Sequence, residues 1–347
     1  MKLLVLENWA LGDLALASPF LHAASQKYEV TLVAKPIARD LRRHFWPRVE
    51  VLPFLAPWTV FERKYDLWRW PWKTILELLR VLRSRQFDIA VSGRRDPRDH
   101  LLIALSGARR RIGFPRWGSQ ALLTQAIECD SKMEHRFSYW QRLANALEVD
   151  LPQPIPQQHK EREVIVIHTG AARMTRVWPL ERYAGLVRRL RTDQHRVEVL
   201  CDRHQLGFWL ERGERARAPD TLDELVCLVG KASIFIGNDS GPGHLAAISG
   251  VPTFTIFGPQ LPELFAPIHP EAEWVEGRPC PFKPCYDSCR FSAPHCLLGV
   301  DEDTVWKRLA QFVARHTRIP GGVDSMPPDL CPCGKDQLGV KFPIDGP

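Results

Sequence analysis

Along this chain the spacing of hydrophobic positions switches repeatedly between two periods. Leu3 to Leu6 (LLVL) is a short unbroken apolar run, as a strand buried on both faces requires, and Asp13 to Gln26 carries apolar residues at helical spacing. VTLVA (Val30 to Ala34), VEVL (Val49 to Leu52) and FDIAV (Phe87 to Val91) repeat the strand pattern, with helical segments between them. DLPQPIPQQHKERE, Asp150 to Glu163, has no apolar period and reads as a linker. The pattern then restarts. VIVIH (Val164 to His168), VEVLC (Val197 to Cys201), SIFIG (Ser233 to Gly237) and TFTIF (Thr253 to Phe257) are strands. WPLERYAGLVRRLR, with Pro179 in its first turn, DTLDELVCLVG from Asp220, and DTVWKRLAQFVARH are helices. Strand–helix alternation predicts an α/β protein with parallel sheets, built as two doubly wound, Rossmann-like domains over residues 1–152 and 153–317. The segment 318–347 holds six Pro and five Gly and is expected to be mostly irregular.

Composition fits this picture. A chain of 347 residues suits two domains of about 150 residues each. Its 45% hydrophobic and 25% charged residues are those of a soluble globular protein. No apolar run approaches the roughly 20 residues of a membrane span. Lys2 and the leucines after it resemble a short signal peptide, but Glu7 and Asp13 interrupt the apolar region, so a first strand and a cytoplasmic location are expected. The net charge of +7 is uneven: residues 1–150 hold 24 Lys and Arg against 16 Asp and Glu, the remainder 23 against 24. A basic N-terminal half attracts anions, whether a phosphorylated substrate, a membrane surface or nucleic acid, or is simply solvated. Without a nucleic-acid reading module, nucleic acid is the least supported of these.

The candidate chemistry lies where strands run into helices, the ligand-binding ends of doubly wound sheets. In FIGNDSGPGHLAAI, Gly241 and Gly243 allow close backbone approach and φ > 0, Asp239 or Ser240 can cap the helix, and Pro242 fits its first turn. The helix N-terminus offers free N–H groups and positive dipole to a phosphate; a capped helix with ordinary turn glycines is the plainer alternative. HTGAARMTRVWP is a second such junction, where Thr169, Gly170, Arg173, Thr175 and Arg176 can donate to phosphate oxygens. Two anion-binding junctions in one half point to a nucleoside-diphosphate ligand. The third, ENWALGDLALASP, places Asp13 at a helix start, either as a cap or as a base facing the cleft. As a base it would work best with its pKa raised from about 3.9 toward neutrality.

Four ordered stretches, ALGDLALASPFL, DIAVSGRRDPRDHLLIALSGARRRIGF, HTGAARMTRVWPLERYAGL and GNDSGPGHLAAISGVPTFTIFGP, resemble glycosyltransferase family nine, the lipopolysaccharide heptosyltransferases. The resemblance runs from about Leu3 to Val305. It implies the GT-B fold, with an acceptor on the N-terminal domain, a nucleotide sugar on the C-terminal one, and inverting transfer of heptose from ADP-heptose to a lipopolysaccharide inner-core acceptor without a catalytic metal. It implies Asp13 as general base, Arg176 and His244 at the leaving diphosphate, Thr169, Gly170 and Ala171 on the donor loop, and Asp239, Ser240 and Gly241 at phosphate and sugar. Glu7 departs from the family, which usually has Arg there, and Asp202 is only a candidate for the ribose. The alternatives are another nucleotide sugar, a protein acceptor, or a nucleotide-sugar-binding protein without turnover.

FLAPWTVFERKYDLWRWPWK interleaves Trp58, Trp68 and Trp70 with Arg63, Lys64 and Arg69. It is either an aromatic helix packed into the domain or a platform for an acceptor and an anionic membrane surface. The lipid-linked acceptor implied by the resemblance favours the platform, with the protein peripheral at the inner membrane. Cys280, Cys285, Cys289 and Cys296, separated by four, three and six residues, suit a closed structural zinc or iron site, reduced thiols, or disulfides. A cytosolic location argues against a disulfide framework.

Overall fold

Every strand pairing is parallel in the computed structural model, which describes residues 1–60, 66–129, 133–152 and 163–317. Arg63, Lys64, most of the expected linker and the segment 318–347 lie outside the described residues. Strands β1 (Lys2–Glu7), β2 (Glu29–Ala34), β3 (Glu50–Pro53), β4 (Ile89–Ser92), β5 (Arg110–Gly113) and β6 (Gln125–Ala126) form one sheet, ordered β3-β2-β1-β4-β5-β6. Strands β7 (Val164–His168), β8 (Arg196–Leu200), β9 (Ala216–Arg217), β10 (Ile234–Asn238), β11 (Thr253–Phe257) and β12 (Glu273–Glu276) form the second, ordered β12-β11-β10-β7-β8-β9. Both follow the doubly wound order that begins in the middle and grows outward on either side.

The helices are α1 (Leu11–Lys27), α2 (Ala38–Phe45), α3 (Trp72–Arg85), α4 (Pro97–Leu105), α5 (Arg136–Leu147), α6 (Leu180–Thr192), α7 (Leu206–Glu211), α8 (Leu222–Gly230), α9 (Gly241–Ile248), α10 (Pro262–Phe265), α11 (His295–Leu298) and α12 (Glu302–His316). Alternation along each strand decides which helices cover it. Leu3 and Val5 of β1 pack with α1 and α5 through Leu14, Phe20, Trp140 and Leu143, while Leu4 and Leu6 pack with α3 and α4 through Leu78, Leu82 and Ile103. In the second sheet Ile165, Ile167, Ile234 and Ile236 face α6 and α12, and Val166 and Phe235 face α8 and α9. Helix α1 packs on α9, so one apolar core runs from the first sheet to the second.

Local chemistry sets several helix starts. Asp96 accepts from the Arg98 N–H with Pro97 in the first turn, and Thr221 and Asp301 accept from the Glu224 and Thr304 N–H groups. Pro179 stands at the N-cap of α6, just before its first turn. Gly241 and Gly243 are both within α9, and neither has a positive φ. The freedom to adopt φ > 0 is therefore unused at these two glycines.

Candidate active site

In each sheet the topology reverses beside the first strand, between β1 and β4 and between β7 and β10, and ligands of doubly wound sheets bind at that crevice. Four loops leave these strands: Glu7 into α1, Ser92 into α4, His168 toward α6, and Asn238 into α9. The two crevices meet. A Cβ on Gly12 would stand 2.9 Å from the His244 ring, and one on Gly241 would stand 2.8 Å from Leu11. The glycines at this seam are thus required by close approach of α1 and α9.

On the N-terminal side, Asp13 sits in the first turn of α1, and its Oδ2 accepts from the Ala10 N–H at 3.3 Å. Its Oδ1 accepts from Arg94 Nη1 at 2.7 Å, and the Arg94 guanidinium lies 3.9 Å over the Trp9 ring. Glu7, at the end of β1, is 1% exposed, and its Oε1 accepts from the Trp9 N–H at 3.2 Å. Burial, with Asp13 beside it, pushes the Glu7 carboxyl up to about 8, so it holds a proton at neutral pH. For Asp13 burial acts upward too, but Arg94, Arg136 and the Ala10 N–H outweigh it and hold the group below its ordinary value. The carboxyl raised toward neutrality is thus Glu7 and not Asp13, because Arg94 bonds directly to Asp13. Burial lowers the pKa of Lys35, which Asp13 and Glu7 oppose, and that of Arg136.

On the C-terminal side, one buried amide joins the two loops. Asn238 Oδ1 accepts from the Trp178 N–H at 3.0 Å and the Tyr183 hydroxyl at 2.9 Å, and its Nδ2 donates to the carbonyls of Thr169 and Gly170 at 2.9 and 3.3 Å. All four hydrogen-bonding positions of the amide are used. The Thr169 hydroxyl is spent on Gln205 Oε1 at 2.8 Å, and Asp202 Oδ2 accepts from the Ala171 N–H at 3.1 Å with Gly170 packed against the same carboxylate. Asp202 and Gln205 therefore shape the donor loop. Arg173 stands just before the turn Met174–Arg176, which carries Thr175 and Arg176.

Arg176 has its guanidinium bound on two sides. Nε and Nη2 donate to Asp287 at 2.7 and 2.8 Å, and Nη1 lies 3.3 Å from Asp239 Oδ2. Burial pushes Asp239 up to about 6, with Arg176 opposing. Ser240 stands at the N-cap of α9 and Pro242 in its first turn, but the Ser240 hydroxyl caps nothing. His244 is buried in α9, and burial lowers its pKa to about 4. It is a neutral imidazole, so any role at a leaving group is hydrogen bonding. The Ser240 and Thr175 hydroxyls and His244 Nδ1 are buried without a protein partner, as are Asn8, Trp9 Nε1 and Arg95 Nε across the seam. Buried polar atoms on facing loops carry a desolvation cost that a polar ligand or water would relieve.

Other expected site residues fall elsewhere. Trp58 is buried and donates to Asp99 Oδ1 at 2.8 Å, which removes it from the proposed surface. Trp70 is half-buried between Trp58 and Trp72, with ring centroids 5.5 and 5.6 Å away. Trp68 is 79% exposed, with Leu67, Trp72 and Leu76 also exposed beside Arg69. Cys280, Cys285, Cys289 and Cys296 line one small cavity under Phe282 and Phe291 as free thiols. Among the described residues, however, no group of three or more His, Cys, Asp or Glu is placed to hold a metal ion. Cys285 and Cys289 turn their sulfurs toward the carbonyls of Pro259 and Ala293, and burial raises the pKa of Cys285 and Cys296.

Sequence reasoning passed over Arg94, Arg136, Gln205 and Asp287. Arg94 follows β4 directly, so the rule that ligands sit at the topological reversal would have found it. Asp287 is 111 residues from Arg176 and carries no local signal.

Two parallel six-stranded doubly wound sheets meeting at the carboxyl ends of their strands define the GT-B fold. The chain belongs to glycosyltransferase family 9 (heptosyltransferase), whose family model matches residues 75–292. It is similar to lipopolysaccharide heptosyltransferase 1 of Campylobacter coli, 28% identical over 114 residues, a match spanning 29% of this chain and 33% of that protein. Two solved structures share its fold. A family 9 glycosyl transferase from Veillonella parvula has TM-score 0.70 and 17% identity, covering 90% of this chain and 97% of the other. The E. coli heptosyltransferase WaaC with ADP has TM-score 0.70 and 16% identity, covering 90% and 100%. No described helix is long and apolar enough to cross a membrane.

Proposed function

We propose that the protein is an inverting heptosyltransferase that moves heptose from ADP-heptose to a sugar hydroxyl of a lipopolysaccharide inner-core acceptor. The observation that carries this reading is the meeting of Asp13 with the loops of Arg176 and Asp239 to His244 at one seam. The family description supports heptose, the ADP bound by E. coli WaaC supports the nucleotide, and the name of the C. coli relative supports the acceptor.

Asp13, ionised at neutral pH, takes the proton of the acceptor hydroxyl. The oxygen attacks the anomeric carbon from the face opposite the diphosphate, the carbon–oxygen bond to the diphosphate breaks, and ADP departs with that electron pair. Arg176, the amino end of α9 and hydrogen bonds from neutral His244 offset the growing charge, so the reading assigns leaving-group stabilisation to the protein itself. Asp239 accepts from sugar hydroxyls. Arg94 keeps Asp13 aligned and ionised, and Glu7, being neutral, adds no second negative charge beside it.

Trp68, Trp72, Leu67 and Leu76, exposed beside Arg69 and Lys73, support contact with an anionic membrane surface, where a lipid-linked acceptor would lie. The test is a donor panel: ADP-heptose alongside UDP-, GDP- and CMP-sugars, with truncated lipopolysaccharide as acceptor and nucleotide release as the readout. Acceptor-dependent release of ADP alone is expected. Release from a different nucleotide sugar would move the donor, and tight nucleotide binding without turnover would leave a binding protein.

A further inference from the structure

The two-point ion pair on Arg176 comes from outside the donor motifs. Asp287 lies in the cysteine-rich segment between β12 and α11, on the short link between Cys285 and Cys289. Its carboxylate is 8% exposed and takes the Arg176 guanidinium side-on, Nε to Oδ1 at 2.7 Å and Nη2 to Oδ2 at 2.8 Å. This two-point geometry fixes the guanidinium plane as well as its position. The backbone is bent to deliver it: Tyr286 and Asp287 have φ of 49° and 68°, a left-handed pair without glycine. Such backbone persists where its surroundings over-determine it. Here the Ser288 N–H donates to the Cys285 carbonyl at 3.0 Å and the Cys285 N–H to the Pro259 carbonyl at 3.4 Å, tying the turn to the end of β11.

An arginine has five N–H donors in one plane. Asp287 takes the Nε–H and one Nη2–H, and Nη1 leans on Asp239 at 3.3 Å. Nη1 also lies 3.5 Å from the Asp239 carbonyl oxygen, so the outer edge retains one uncommitted Nη2–H, and a phosphate would draw Nη1 off its long contacts to Asp239. Held only by its flexible stem, the same guanidinium would have to be ordered by the ligand, at an entropic cost to binding.

We propose that Asp287 is a positioning residue for the donor diphosphate, holding Arg176 by one edge so that the other faces the phosphates. The role rests on the nucleotide-diphosphate reading given above and extends the donor site into the cysteine-rich segment. The thiol-lined cavity behind this turn then serves as its packing base.

The experiment measures binding of ADP and of adenosine, by calorimetry, to the wild-type chain, Asp287→Asn, Asp287→Glu, Arg176→Lys and Asp287→Asn/Arg176→Lys. Wild type must bind ADP; if it binds no nucleotide, the donor-site reading itself fails. Asp287→Asn is expected to weaken ADP by about tenfold or more while adenosine binding stays unchanged. A collapsed domain would weaken both ligands, which separates misfolding from lost positioning. Asp287→Glu should recover part of the loss, and the double variant should be no weaker than Arg176→Lys alone, because both substitutions remove one interaction. Unchanged ADP affinity in Asp287→Asn would overturn the proposal. Tighter ADP binding would overturn it as well, since Asp287 would then be competing with the phosphates for Arg176.

Discussion

Two carboxyls six residues apart, Glu7 and Asp13, end up in opposite protonation states. Asp13 is ionised because Arg94 bonds to it; Glu7 keeps its proton because burial gives it only the Trp9 N–H. Folded Glu7 releases its proton near pH 8, whereas an unfolded glutamate does so near 4.5. The folded state therefore carries more protons across this window, and stability falls as pH rises from about 4.5 to 8. The contribution is complete below that window and lost above it, and on the order of a few kcal/mol is at stake. Glu7→Gln, neutral throughout, should flatten this slope and raise Tm at pH 8.5, as thermal melts across pH 5 to 9 would show. Asp239 makes a second pH prediction. It is ionised above about 6, so donor KM should rise as pH falls below 6, and Asp239→Asn should lose that limb. At this scale the sequence was half legible. The motif positions of Asp13, Arg176 and Asp239 come together at the seam, but their charge states depend on Arg94, Arg136 and Asp287, which arrive from distant parts of the chain.

At the level of elements, the strands easiest to read were β7, β10 and β11, because parallel strands covered on both faces are unbroken apolar runs. The edge strands β6 (Gln125–Ala126) and β9 (Ala216–Arg217) are two residues long and polar or small, so no periodicity could announce them. Helices α1 and α9 were legible as helices, but their mutual contact was not. That contact makes a testable demand on Gly12 and Gly241. A methyl at Gly241 meets Leu11 at Cβ and Cγ as well as at its tip, so the backbones must separate. Gly241→Ala should cost about 1–3 kcal/mol of stability, read by denaturant melts. Gly12→Ala must displace the His244 ring, and should lower kcat/KM more than it lowers Tm.

For the whole molecule, the proposed reading divides the labour between two equivalent doubly wound sheets, with base chemistry on the basic N-terminal half and phosphate binding on the other. The exposed Trp68 and Trp72 belong to the N-terminal half. Trp68→Glu/Trp72→Glu should reduce flotation with vesicles of anionic phospholipid severalfold while leaving turnover of a soluble, delipidated acceptor intact. Loss of turnover on the soluble acceptor would mean that these residues serve the acceptor site itself.

Transfer by Asp13 across the seam is tested by acceptor-dependent release of ADP from ADP-heptose, measured for the wild-type chain and for Asp13→Asn. Release by the wild type is expected, with a fall of about a hundredfold or more in kcat for Asp13→Asn and ADP affinity unchanged. Turnover by Asp13→Asn at the wild-type rate would contradict it.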